Sequence, residues 1–119
     1  MTTKVVLNTE NTINFAFSEK TAEEAILKVL KEQNLSGEFE VDLKIVDKNE
    51  IQVLNKKYRH KDAPTDALSF PIHDKIDFQS SAPILLGDII LCPAMAEESL
   101  EKLIEHSVLH LVGIHHPGD

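Results

Sequence analysis

The chain of 119 residues carries 12 Lys and Arg against 20 Asp and Glu, a formal net charge of −8, with 42% hydrophobic and 27% charged residues. This is the composition of a single globular domain, residues 1–119, and its acidic balance argues against broad electrostatic wrapping of nucleic acid. One cysteine, Cys92, excludes an internal disulfide and a four-cysteine zinc site. No apolar run reaches the length of a membrane span and no basic-then-apolar leader opens the sequence, so a cytoplasmic protein with no membrane partner is expected.

Residues 3–7 and 13–17 read as short strands, the second alternating apolar and small side chains. Thr21 and Glu24 have the spacing of a capping box. The helix behind them carries Ala22, Ala25, Ile26, Val29 and Leu30 as one apolar stripe and ends over residues 34–37. Val41, Leu43 and Ile45 alternate with polar neighbours, which predicts a strand with one buried face. Asp47, three before Glu50, can cap a second helix with Ile51, Leu54 and Tyr58 on one side. That helix delivers the chain into a polar loop, residues 58–66, broken by Pro64. Lys56, Lys57, Arg59, His60 and Lys61 cluster here. Such a run is either a solvated helix end, where cations are favoured, or a local nucleic-acid contact on an acidic protein.

Residues 67–71 form a brief strand that Pro71 terminates or places at a sheet edge. A mixed loop, residues 72–83, follows. Residues 84–91 are the most apolar strand of the chain, interrupted by Gly87 and Asp88. A carboxylate inside such a run needs a partner, so Asp88 is expected either to serve the backbone or to orient a metal-binding histidine. The last helix should run over about 94–112, with Glu97 and Glu98 in its early turns and Leu100, Leu103, Ile104, Val108 and Leu111 as its core stripe.

His106 and His110 fall beside that stripe, at its border with the charged side of the helix. At this spacing two imidazoles lie roughly 40° apart around the axis and can hold one metal ion. Gly113 can end the helix in a left-handed turn, after which the chain can return His115 or His116 as a third ligand. Three nitrogens leave the fourth position of a tetrahedral zinc open, the arrangement of a catalytic site. The spacing is similar to that of zinc peptidases with H-E-x-x-H, yet Ser107 stands where those enzymes carry their general-base glutamate.

Three segments together resemble the signatures of the bacterial YbeY-type endoribonucleases. The first runs from Leu54 to Pro71 and includes Tyr58, Arg59, Asp62, Pro64, Thr65, Asp66 and Ser69. The second is Leu86-Gly87-Asp88-Ile89, and the third is His106 to His116 with Asp119 three beyond. The resemblance implies a single-strand-specific, metal-dependent ribonuclease acting in maturation and quality control of small-subunit ribosomal RNA. That RNA would be its partner, with small-subunit ribosomal proteins as further candidates. It implies one Zn²⁺ held by His106, His110 and His116, the family spacing selecting His116 over His115, and Arg59 as a catalytic residue facing the metal. Asp88 and Asp119 are then candidates to orient the imidazoles, and Lys61 to add a positioning contact.

The expected fold is α+β: a small mixed sheet of about four strands with packed helices and a central, zincin-like metal helix. Departures from the family pattern are Ser107 for glycine, Ile114-His115 for Tyr-Asp, a shorter segment between Asp88 and His106, and an end at Asp119 where relatives usually continue. The last of these keeps open a non-catalytic ribosome-assembly factor stabilised by zinc, while a metallopeptidase reading rests only on the histidine spacing and is weakened by Ser107.

Overall fold

A computed structural model of the chain describes residues 2–72 and 83–113. Four strands, β1 (Thr3–Asn11), β2 (Gly37–Ile45), β3 (Ala67–Pro71) and β4 (Ile84–Leu91), form one sheet in the order β1-β2-β4-β3. β1, β2 and β4 run parallel, and β3 is antiparallel to β4 at the edge. Three helices, α1 (Glu19–Glu32), α2 (Lys48–Arg59) and α3 (Leu100–Leu111), complete the expected α+β architecture. No helix among the described residues is long and apolar enough to cross a membrane.

The strand β1 is longer than expected, and residues 13–17 are not a strand. Asn11 is the reason: its side-chain oxygen accepts from the Ile13 and Phe15 amides while its Nδ2 donates to the Phe15 carbonyl. These bonds serve the backbone that a ladder would otherwise serve. Helix α1 also begins earlier than the capping-box spacing suggests. Ser18 is the N-cap, accepting from the Thr21 amide at 3.1 Å, so Thr21 sits inside the first turn. The predicted stripe of α1 is buried in full. In α2 the expected cap is present: Asp47 accepts from the Glu50 amide at 2.8 Å.

The two faces of the sheet are covered unequally. Val5, Phe39, Val41, Leu43, Leu86, Ile89 and Leu91 meet the apolar stripes of α1 and α3 in one continuous core. On the other face α2 packs over a smaller cluster, in which Ile51 meets Val46, Leu68, Ile90 and Cys92. Cys92 is buried, as expected of a small apolar residue in that place.

Gly87 sits between β3 and α3. Its φ is +145°, and a Cβ there would lie 2.2 Å from the Phe70 carbonyl oxygen and 3.0 Å from Leu111 Cδ2. Only glycine lets the last turn of α3 approach the sheet this closely.

Helix α3 starts at Leu100 rather than near residue 94. Pro93–Met95 make one 3-10 turn, and Ser99 then caps α3 by accepting from the Lys102 amide at 3.2 Å. Glu97 and Glu98 therefore precede the helix. The break falls after the 3-10 turn, where Ala96 and Ser99 both take extended backbone, and the Ser99 cap then starts the helix afresh.

Candidate functional site

The site is built on α3. Leu103, Ile104, Val108 and Leu111 anchor the helix in the core, which fixes its rotation about its own axis. Ser107 is buried with them, so the position after His106 faces the packing. A glutamate at that place would need a buried carboxylate, and the peptidase reading has no base to put there. His106 and His110 are half-buried at the border of the stripe. On the charged side Glu105 pairs with Lys28 of α1 at 2.9 Å, a bond that raises the Lys28 pKa through the hydrogen bond and the opposite charge.

The two imidazoles meet. Their Nε2 atoms are 3.2 Å apart, with ring centroids at 4.7 Å. Two nitrogens bound to one tetrahedral zinc at 2.0–2.1 Å must lie about 3.3 Å from each other, so the separation of this pair is one that a single ion could bridge. The same separation lets a neutral pair share a hydrogen bond between the two Nε2 atoms. Val112 and Gly113 then stop the helix, Gly113 with φ +88° and its amide bonded to the His110 carbonyl at 3.1 Å. The left-handed stop was expected, and it turns the chain just after the second imidazole. Among the described residues no group of three or more His, Cys, Asp or Glu side chains converges. The expected third ligand His116, its alternative His115 and the candidate Asp119 lie outside the described residues.

Arg59 is the last residue of α2, not a loop residue, and His60 caps the helix in a left-handed conformation with φ 60°. Its guanidinium donates from Nη2 to the Ser69 carbonyl at 2.6 Å and lies over the Phe70 ring, 4.9 Å from its centroid. Ser69 and Phe70 belong to β3, the edge strand on which α3 also packs. The strand therefore carries Arg59 along its free edge while α3 carries the histidines. Two residues missed in the sequence make this possible. Asn55, only 5% exposed, donates from Nδ2 to the Ala63 carbonyl at 2.9 Å, and its own carbonyl accepts from Lys61 at 3.3 Å. Phe70 is the ring on which both Tyr58 and Arg59 rest. An asparagine on the apolar side of α2 was the available signal for the first; nothing local marks the second.

Asp88 needs a correction. It faces away from α3, next to Asp42 on the neighbouring strand, in a hollow also lined by Asn8, Glu10, Lys44 and Ile90. Burial first, and then the charge of Asp42 and a hydrogen bond with it, raise the Asp88 pKa. It does not orient the histidine pair, because the sheet lies between them.

The family model described as Endoribonuclease YbeY matches residues 5–119. The chain belongs to the endoribonuclease YbeY family. It is 38% identical over 110 residues to the Endoribonuclease YbeY of Macrococcus caseolyticus, covering 82% of this chain and 71% of that one. The YbeY protein of Staphylococcus epidermidis is 38% identical over 104 residues, 75% of this chain and 67% of the relative. That of Finegoldia magna is 37% identical over 109 residues, 82% and 67%. The solution structure of TM1509 from Thermotoga maritima matches with a TM-score of 0.52 at 24% identity, over 96% of this chain and 77% of that one, and so shares the fold.

Proposed function

We propose that this chain is a single-strand-specific, zinc-dependent endoribonuclease that acts in the maturation and quality control of small-subunit ribosomal RNA. Membership of the YbeY family supports the reaction class. The observation that carries the metal is the 3.2 Å separation of the His106 and His110 Nε2 atoms on a helix locked into the core. His106, His110 and His116 would hold one Zn²⁺. Bound there, the ion supplies Lewis-acid chemistry, lowering the pKa of a water or polarising a phosphoryl oxygen.

The rest is done by the chain. Arg59 has spent one of its five N–H donors on the Ser69 carbonyl and keeps its plane against Phe70, which leaves donors for a phosphate. A guanidinium held this way stabilises charge that develops on a phosphoryl group without first having to be ordered. Lys61, tethered through its amide to Asn55, is a further positioning contact.

The test is zinc content by mass spectrometry, together with cleavage of a single-stranded and a duplex RNA with and without chelator. The reading requires one zinc per chain, preferential cutting of the single strand and loss of cutting with chelator. Metal binding without cutting of any RNA would leave the ion a purely structural part of an assembly factor.

A further inference from the structure

The last turn of α2 carries a second feature that the metal chemistry does not use. Tyr58 continues the apolar side of α2 after Ile51 and Leu54, yet it is 50% exposed. Its ring meets Phe70 at a centroid distance of 5.4 Å and an interplanar angle of 66°, and the Lys57 ammonium lies 5.1 Å from its centroid. Around it Lys57, His60 and Lys61 are exposed. Lys56 is taken up by Asp62 at 3.7 Å, and no salt bridge among the described residues engages Lys57 or Lys61. On a chain of net charge −8, one helix end thus presents a half-exposed aromatic ring beside two lysines that no salt bridge among the described residues engages, Lys57 resting near the ring itself. The helix dipole accounts for cations there, but it does not account for an aromatic ring kept half in water beside them.

We propose that Tyr58, Lys57 and Lys61 form a platform for a single-stranded RNA segment flanking the bond to be cut, Tyr58 stacking one base and the two lysines holding adjacent phosphates. The proposal rests on the ribonuclease reading above and adds to it the place where the strand lies. A base has a π-face that stacks on an aromatic ring whatever its sequence, and phosphates supply the charge that Lys57 and Lys61 lack. A duplex offers no unstacked base, so the platform favours single strands. Arg59, next in the chain, sits on Phe70 against the same strand edge, which places the bound segment beside the catalytic guanidinium.

The experiment measures binding of a fluorescein-labelled short oligouridylate to the full chain by anisotropy, in chelator so that no cutting occurs. Cleavage with zinc is measured in parallel. Tyr58→Ala should weaken binding about tenfold and Tyr58→Phe less than about twofold, as expected for loss or retention of one stacking ring. Tyr58→Leu, which keeps apolar packing on Phe70, should behave like the alanine variant and guards against a folding artefact. The double variant Lys57→Gln/Lys61→Gln should flatten the slope of log affinity against log salt by about 1.4, the value for two phosphate contacts on a single strand.

Wild-type protein that does not bind the oligonucleotide overturns the proposal. So does binding that Tyr58→Ala leaves unchanged, or displacement by polyglutamate as effective as by unlabelled oligouridylate, which would mark a site for an acidic protein. Cleavage by Tyr58→Ala with an unaltered KM sinks the platform and leaves the nuclease reading standing. Tyr58-dependent binding without any cleavage sinks the nuclease reading and leaves the platform.

Discussion

The two faces of the sheet have different jobs, and the contrast shows how the site is held. The face under α1 and α3 is a continuous apolar core, and the histidine pair sits at its rim on a helix with four buried aliphatic side chains. Among the described residues, the opposite face is covered mainly by α2, with Met95 packed beside it. Elsewhere it exposes Asn8, Asp42, Lys44 and Asp88 around a hollow of about 300 Å³. If the pair holds the proposed ion, its ligands would need placement to within a fraction of an ångström, which a packed helix supplies. Arg59 needs a fixed plane and free donors, which a helix end leaning on an edge strand supplies with far less burial.

If that division holds, the largest effect comes from breaking the packed face. Gly87→Ala places a methyl group against the Phe70 carbonyl and Leu111 at a backbone φ of +145°. It should cost about 3–5 kcal/mol of stability, the sum of overpacking and backbone strain, read as a shift in the urea midpoint. A loss under about 1 kcal/mol would mean that α3 is not held against the sheet.

His106→Ala separates the ligand role from the packing role. Zinc affinity should fall by more than the roughly 10–100-fold that losing a mere outer partner of a ligand costs. The stability of the metal-free protein should change by less than about 1 kcal/mol, since the imidazole is only half-buried. Zinc titration and denaturation of the same preparation give both numbers.

Arg59→Ala tests the exposed side. Cleavage should fall about 10²–10³-fold, the usual effect of removing one preorganised donor, while the melting temperature drops by no more than about 3 °C. Some thermal loss is expected because Arg59 bonds Ser69 and covers Phe70. A stability loss as large as that of Gly87→Ala would reassign Arg59 to the architecture.

The smallest effect belongs to the open face. The Asp88 pKa is raised in the fold, so the fold favours the protonated form. Its stabilising contribution is complete below the ordinary value of 3.8 and is lost as pH rises through the raised folded value. Asp88→Asn should therefore melt about 1–2 °C higher than wild type at neutral pH, with the gap closing on acidification. Identical melting curves across pH would mean that solvent and Lys44 already neutralise the Asp42–Asp88 repulsion.

The sequence by itself determined a good deal. The apolar stripe of α1, the Asp47 cap of α2, the strands at 67–71 and 84–91, and the helical histidine pair followed by a glycine stop are all set by neighbours within a few residues, and spacing reads such patterns directly. Membership of the family was legible for the same reason, since its signatures are short and ordered along the chain. Where local signals competed, reading failed. Ser18 outranked Thr21 as a cap because it stands one turn earlier. Asn11 turned an alternating stretch into a turn, and the Ser99 cap started α3 at Leu100 instead of near residue 94.

Only the tertiary structure decided which face each strand residue meets. The register shift between Glu40 and Val41 of β2, opposite the span from Leu85 to Gly87 of β4, puts Gly87 under α3 and Asp88 on the far side. No periodicity within β4 alone reports it, because a bulge is a relation between two strands. Likewise Arg59 reaches Ser69 and Phe70 only because the loop between them is folded back by Asn55. Contacts between segments separated by a loop depend on how that loop closes, which residue spacing does not encode.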